Sequence, residues 1–231
     1  IRGDIFNDFR DRDSGAVYSD IEFKGADFKN VLVNYLRSGK ENHDSQDAAY
    51  ELYYRHCLIW LAIIEDVVID GLDAGKGGIL IAEGCAFKHV VLQGDVGDIR
   101  INNSVPQSSK PKQQGSLEQR RVDEANAEFY KRVDWALDIS NAHFRTGEVE
   151  GVPPALVRRD RETQFVLRSR AIVEGKWRAL IVRDLLEALL EFYQLHDVGD
   201  IILIAPKASK DFERQLRGLQ ALREAGVLDE D

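Results

Sequence analysis

The chain has 231 residues, of which 44% are hydrophobic and 31% charged, and a formal net charge of −9. This composition is typical of a folded protein with a sizeable core, and the acidic balance argues against direct binding to nucleic acid, which needs a basic surface. The longest apolar run, residues 57–64, is too short to span a membrane, so we expect no membrane contact. Two cysteines without a disulfide or zinc pattern, and no recognisable leader segment, favour a cytoplasmic protein.

Near the start of the chain, apolar residues recur at spacings of two and three in turn. A helix would bring apolar residues together at spacings of three and four, and a flat strand would alternate strictly. The rhythm therefore favours a chain that makes two inward contacts, turns a corner and repeats every five residues. Its members are Ala16, Tyr18, Ile21, Phe23, Ala26, Phe28, Val31 and Val33.

The same rhythm returns twice, separated by segments of another kind. Residues 41–56 predict a helix, after which residues 57–92 resume the rhythm. The polar stretch 102–116 predicts a loop, and 117–133 predicts a charged helix. The last instance of the rhythm is 137–152.

Three pentads carry a resemblance to a known family: GADFK at 25–29, GCAFK at 84–88 and NAHFR at 141–145. A small residue followed two places later by Phe, repeated every five residues, resembles the pentapeptide-repeat proteins. The resemblance implies a right-handed parallel β-helix in which four pentads make one square turn and the small and large residues both point inward. Because the repeats are short and interrupted, it implies only three or four turns here.

Beyond residue 154 the rhythm stops, and strand and helix patterns alternate. Residues 164–169 and 200–205 predict strands, whereas 178–195 and 209–226 predict apolar and amphipathic helices. Strand–helix–strand–helix is the order of a small α/β unit.

The predicted fold class is therefore mainly β plus α/β, a short right-handed parallel β-helix with helical excursions and a C-terminal α/β capping lobe. We expect two domains. Residues 1–154 would form the interrupted pentapeptide-like β-helix, with helical insertions near 41–56 and 117–133, and residues 155–231 would form the lobe that caps it. A lobe that folds as a separate domain is the open alternative.

The titratable residues predict no catalytic centre, no metal and no cofactor. The histidines lack a metal-ligand spacing, and His89 and His143 take outward positions in their pentads, which indicates exposure to solvent. Cys57 and Cys85 take inward positions, which indicates packing rather than reactivity. The glycine-rich stretch 71–78 lacks the spacing of a phosphate-binding loop.

The densest charge cluster near the predicted domain junction is VRRDRE at 157–162. Arg158, Arg159 and Asp160 are the predicted binding residues, because guanidinium groups match carboxylates and other anions. Pairing of these arginines with acids of the same chain is the alternative. Trp177 is predicted to mark packing, or to be a hot spot for association if it is exposed.

We therefore predict a non-enzymatic protein of the inhibitor or immunity type that binds another protein. An enzyme or small-ligand binder with its site at the junction between β-helix and lobe is one alternative. The family resemblance implies a second, an acidic DNA mimic that binds DNA gyrase. Helix 178–195 carries more apolar surface than a small lobe needs to cover, which predicts a homodimer through this helix.

Overall fold

The computed structural model describes residues 17–18, 21–27, 57–61, 63–73, 79–104, 117–179, 190, 193 and 199–229. The strands are β1 (Val17–Tyr18), β2 (Ile21–Asp27), β3 (Cys57–Trp60), β4 (Ile63–Glu65), β5 (Val67–Asp73), β6 (Ile79–Glu83), β7 (Ala86–Lys88), β8 (Val90–Asn102), β9 (Leu137–Glu150), β10 (Val157–Arg158), β11 (Gln164–Leu167) and β12 (Ile201–Ile204). The α-helices are α1 (Leu117–Tyr130), α2 (Ser169–Glu174) and α3 (Phe212–Glu224). No helix within these ranges is long and apolar enough to cross a membrane.

The described strands form two sheets. The smaller has three strands in the order β1-β4-β7, and the larger has nine, with the main path β11-β12-β9-β8-β5-β2. Strand β10 adds to β9, and β6 joins β3 to β8. Pairing is parallel from β2 through β5 and β8 to β9, whereas β12 pairs antiparallel with both β9 and β11. The larger sheet is therefore mixed.

This topology corrects the predicted fold class. The right-handed parallel β-helix of pentapeptide-like coils, capped by an α/β lobe, is wrong, because no sheet in the described part of the chain closes on itself or forms a solenoid. Strand β12 continues the same sheet by pairing Ile202 with Val149 of β9. The fold is mainly β, with a few helices. The domain boundary at residue 154 stays a prediction.

The five-residue rhythm arises from bends within and between strands. Buried side chains alternate with more exposed ones along a strand, as at Ile99 and Ile101 of β8. Several steps of three residues fall where the backbone has a positive φ, as at Asp66 and His89 (both 55°) and at Gly84 (63°), whereas the steps from Ile139 to Ala142 and from Phe144 to Gly147 contain no such residue. Around Gly97 the pairing of β8 with β9 also shifts register. A bent or bulged strand thus reproduces the spacing expected from square corners.

The inward positions themselves are confirmed as buried wherever the structure describes their side chains, except for the partly exposed Gly147. They belong to a first hydrophobic cluster, which includes Leu80, Ala82, Cys85, Phe87, Val90, Leu92, Leu137, Ile139, Ala142, Phe144 and Val149. A second cluster packs α2 and α3 against the β11–β12 pair and includes Phe165, Leu167, Ile172, Trp177, Leu190, Tyr193, Ile201, Leu203, Leu219 and Leu222. Local patterning therefore located the core without identifying the sheet.

Several predicted elements are confirmed. Helix α1 lies within the predicted range 117–133, β11 and β12 lie within 164–169 and 200–205, and α3 lies within 209–226. The predicted helix 41–56 lies outside the described residues.

The predicted helix 178–195 is described only in part. The structure describes residues 178–179, which belong to a 3₁₀ turn, together with Leu190 and Tyr193, which are both helical and buried. The homodimer through this helix stays a prediction.

Candidate functional site

Two of the four predicted binding residues lie in a network of internal hydrogen bonds at the start of β11. Arg159 Nη1 donates to the main-chain carbonyl of Gln164 at 3.0 Å. The Asp160 carboxylate accepts from Lys207 Nζ and from Thr163 Oγ1, each at 2.8 Å. Partial burial opposes ionisation of Asp160, but these hydrogen bonds outweigh it and hold the pKa of the carboxyl below its ordinary value. Both side chains therefore have clear structural roles.

Trp177 lies in the second hydrophobic cluster and is only 2% exposed. Its indole Nε1 has no hydrogen-bond partner among the described residues, and the guanidinium of Arg178 lies 5.3 Å from the ring centroid. The side chain packs inside the fold, so Trp177 is a core residue and does not offer an exposed aromatic surface to a partner.

Arg158 has different surroundings from the other predicted residues. It is exposed, and its guanidinium carbon lies 4.1 Å from the centroid of the Trp135 ring, within the range of a cation–π contact. The Trp135 ring also contacts the imidazole of His89, with 4.8 Å between ring centroids and a tilt of 31°. These side chains form a stack of an imidazole, an indole and a guanidinium.

Strand pairing explains why this stack forms. Leu137, at the start of β9, pairs with Val90 of β8 on one side and with Val157 of β10 on the other. His89, Trp135 and Arg158 each lie one or two residues from these paired positions. The main chain adds a further tie, because the N–H of His89 donates to the carbonyl of Trp135 at 3.3 Å.

Two carboxylates hold the His89 ring. Its Nδ1 lies 2.9 Å from Asp66 Oδ1, and its Nε2 lies 2.7 Å from Asp134 Oδ1. Asp66, between β4 and β5, and His89, between β7 and β8, occupy equivalent bends because β4 pairs with β7 and β5 with β8, and both adopt the left-handed conformation. We call Asp66, His89 and Asp134 the histidine clasp.

The clasp favours the charged imidazole. The hydrogen bond to Asp134 raises the pKa of His89 most strongly, partial burial opposes this, and the hydrogen bond to Asp66 raises it further. The same contact lowers the pKa of Asp134. Both ring nitrogens are engaged by carboxylates, so neither is free to take a proton from a substrate. The charged imidazole therefore holds the two aspartates together electrostatically, and it is not placed to act as a general base.

Other polar clusters join neighbouring elements. Arg168 bridges Asp200 and Asp229 at 2.7 and 2.6 Å, which ties β11 to the start of β12 and to the chain after α3. Glu148 of β9 bonds both Arg100 of β8, at 2.7 Å, and the hydroxyl of Tyr193, at 2.6 Å. No group of three or more His, Cys, Asp or Glu in the described ranges has the geometry of a metal site.

The sequence prediction missed most of this site. It identified Arg158 but not its neighbour Trp135, and it placed His89 in solvent, whereas the His89 side chain is only 29% exposed. One signal was present, because Asp66 and His89 directly precede the inward residues Val67 and Val90 and so share a phase in the rhythm. Asp134 carries no such signal, since it precedes β9 in an irregular turn.

The chain matches no protein-family model, and searches of curated proteins and of solved structures found no significant match. The resemblance to pentapeptide-repeat proteins therefore stays a prediction.

Proposed function

We propose that this chain is a non-enzymatic binding protein, of the inhibitor or immunity type, that contacts another protein through His89, Trp135 and Arg158. We call these three residues the stacked surface. The observation that carries the proposal is the half-buried Trp135 side chain, whose ring contacts an exposed arginine and a tethered histidine. Trp and Arg are the residues most enriched among those that dominate binding energy at protein interfaces.

Preorganisation of the stacked surface supports this role. The His89 ring is held at both nitrogens, and its main-chain N–H is bonded to the carbonyl of Trp135. Strands β8, β9 and β10 fix the spacing of the three side chains. Side chains that are already ordered lose little rotational freedom on binding, so more of the contact energy appears as affinity.

Geometry also favours binding over catalysis at this surface. The one titratable ring of the stacked surface has both nitrogens engaged, and Arg159 and Asp160 point their polar groups into contacts within the chain. A protein-binding role uses the surface as it stands, whereas acid–base catalysis would require the clasp to open. We place this function in the cytoplasm as part of the same proposal.

Affinity capture from a lysate of the source cell tests the proposal, with the wild type compared to Trp135→Ala and Arg158→Ala. We expect a protein enriched by the wild type to fall about tenfold in yield with either variant, because each removes a hot-spot side chain. Arg217→Ala is the matched control, since Arg217 is an exposed arginine of α3.

Thermal unfolding followed by circular dichroism shows whether each variant is folded before capture. Equal capture by all four proteins would contradict the proposal, as would an equal loss with Arg217→Ala.

A further inference from the structure

Arg158 is an exposed arginine whose guanidinium lies over an aromatic ring and, among the described residues, forms no ion pair. Arg100, Arg145 and Arg168 each form an ion pair with a carboxylate within 3.0 Å. Within the described part of the chain, Arg158 has only the Trp135 ring, at 4.1 Å. A charge placed this way is available to a partner.

The carboxylate that is nearest by strand pairing has one oxygen bound to another residue. Asp138 of β9 pairs in register with Arg158 of β10. Its Oδ1 accepts hydrogen bonds from the main-chain N–H of Ser140 at 3.1 Å and from its hydroxyl at 2.6 Å. Asp134, which directly precedes Trp135 in the chain, is bound to His89. Neither aspartate forms an ion pair with Arg158 in the described part of the chain.

Stacking leaves the hydrogen-bonding edge of a guanidinium open. The Arg158 guanidinium carbon lies over the Trp135 ring, 4.1 Å from its centroid. A guanidinium that stacks face to face on a ring keeps its N–H donors pointing outward in its own plane. That planar fork matches the two oxygens of a carboxylate, and the indole restricts the orientation of the fork in advance. A lysine ammonium could not reproduce this geometry.

We infer that Arg158, held on Trp135, is the receptor for the carboxylate of a Glu or Asp side chain on the protein partner. This inference rests on the proposed function. Because the whole chain carries a net charge of −9, long-range attraction cannot bring an acidic segment to it. Recognition is therefore short-range, within the roughly 8 Å over which charges act at physiological salt.

A titration with a model peptide tests the inference on the full chain. The probe is a tri-glutamate peptide with both ends blocked, and the blocked tri-glutamine peptide is its neutral, isosteric control. The readout is the indole N–H signal of Trp135 in ¹⁵N-correlated NMR spectra, assigned with Trp135→Phe. We expect a saturable shift that is about tenfold larger with tri-glutamate, because only a carboxylate pairs bidentately with the fork.

The shift should disappear in Arg158→Gln and persist in Arg217→Gln. Equal shifts with both peptides, no shift up to the solubility limit of tri-glutamate, or an unchanged shift in Arg158→Gln would each overturn the inference. A tri-glutamine peptide with a free C-terminus is the third arm. If it alone shifted the signal, the site would recognise a chain terminus, and the assignment to a side chain would be wrong.

The peptide titration and the affinity capture can give opposite results, so the failure of one proposal can be told from the failure of the other. If tri-glutamate leaves the signal unchanged while a captured partner still depends on Trp135 and Arg158, the carboxylate inference fails and the proposed function stands. If tri-glutamate binds but capture is indifferent to both residues, the proposed function fails.

Discussion

At the scale of single residues, His89 combines backbone strain with electrostatic stabilisation. Its φ of 55° lies in the left-handed region, which is uncommon for residues other than glycine although histidine adopts it more often than most, and the two aspartates of the clasp hold the ring. Because its pKa is raised from 6.5 in the folded state, the imidazolium stabilises the fold fully below that value. This contribution is lost as the pH rises through the folded pKa.

His89→Asn tests the clasp, because asparagine tolerates the same backbone but cannot span two carboxylates. We expect the loss in free energy of unfolding to be larger at pH about 5.5 than at pH about 9, because the contribution of the imidazolium is lost as the pH rises through the raised pKa of His89. Urea unfolding at both values measures it. His143→Asn is the control, since the exposed His143 has one weak contact, with Asp95 at 3.4 Å. A loss that is the same at both values would contradict a titrating clasp.

At the scale of elements, β9 connects most of the fold. It pairs with β8, β10 and β12, and its residues alternate between the core and the surface along much of their length. Phe144 is 2% exposed in the first hydrophobic cluster, whereas its neighbour Arg145 is exposed and pairs with Asp98 at 3.0 Å.

Phe144→Asp should destabilise the protein by about 4 kcal/mol or more, because it leaves a cavity and an unpaired charge in the core. Arg145→Gln should cost less than about 1 kcal/mol, since exposed ion pairs contribute little. Denaturant unfolding of both variants measures the difference. Similar losses in free energy of unfolding would mean that Phe144 does not face the core and would contradict the burial pattern of β9.

At the scale of the whole molecule, the first hydrophobic cluster crosses the predicted domain boundary. Val166, Ile202 and Ile204 lie in it beside Phe144 and Val149. Strand β12 also completes the edge of β9, so the backbone hydrogen bonds of the larger sheet extend across residue 154.

Separate expression of residues 1–154 and 155–231 tests whether the two parts depend on each other. We expect neither fragment to unfold cooperatively on heating, because the cut exposes both the edge of β9 and buried apolar side chains. Far-UV circular dichroism of each fragment, and of the two mixed together, gives the answer. A cooperative transition in 155–231 alone would show an independent domain and contradict the expectation.

The sequence alone was sufficient to predict those features that depend on residues close together along the chain, such as buried positions and helices. The phase of the apolar rhythm identified buried positions such as Val90, Leu137 and Phe144, and periodicity located α1 and α3. The exposed Arg158 was also identified, from charge density beside a junction.

Only the tertiary structure decided which strands pair and what Arg158 contacts. A bend at a residue of positive φ and a corner of a coil both produce a step of three residues, so the rhythm could not distinguish a bent, mixed sheet from a solenoid. The clasp joins Asp66, His89 and Asp134, which lie 23 and 45 residues apart. Contacts of that separation follow from strand register, which is a property of the assembled sheet and not of any local segment.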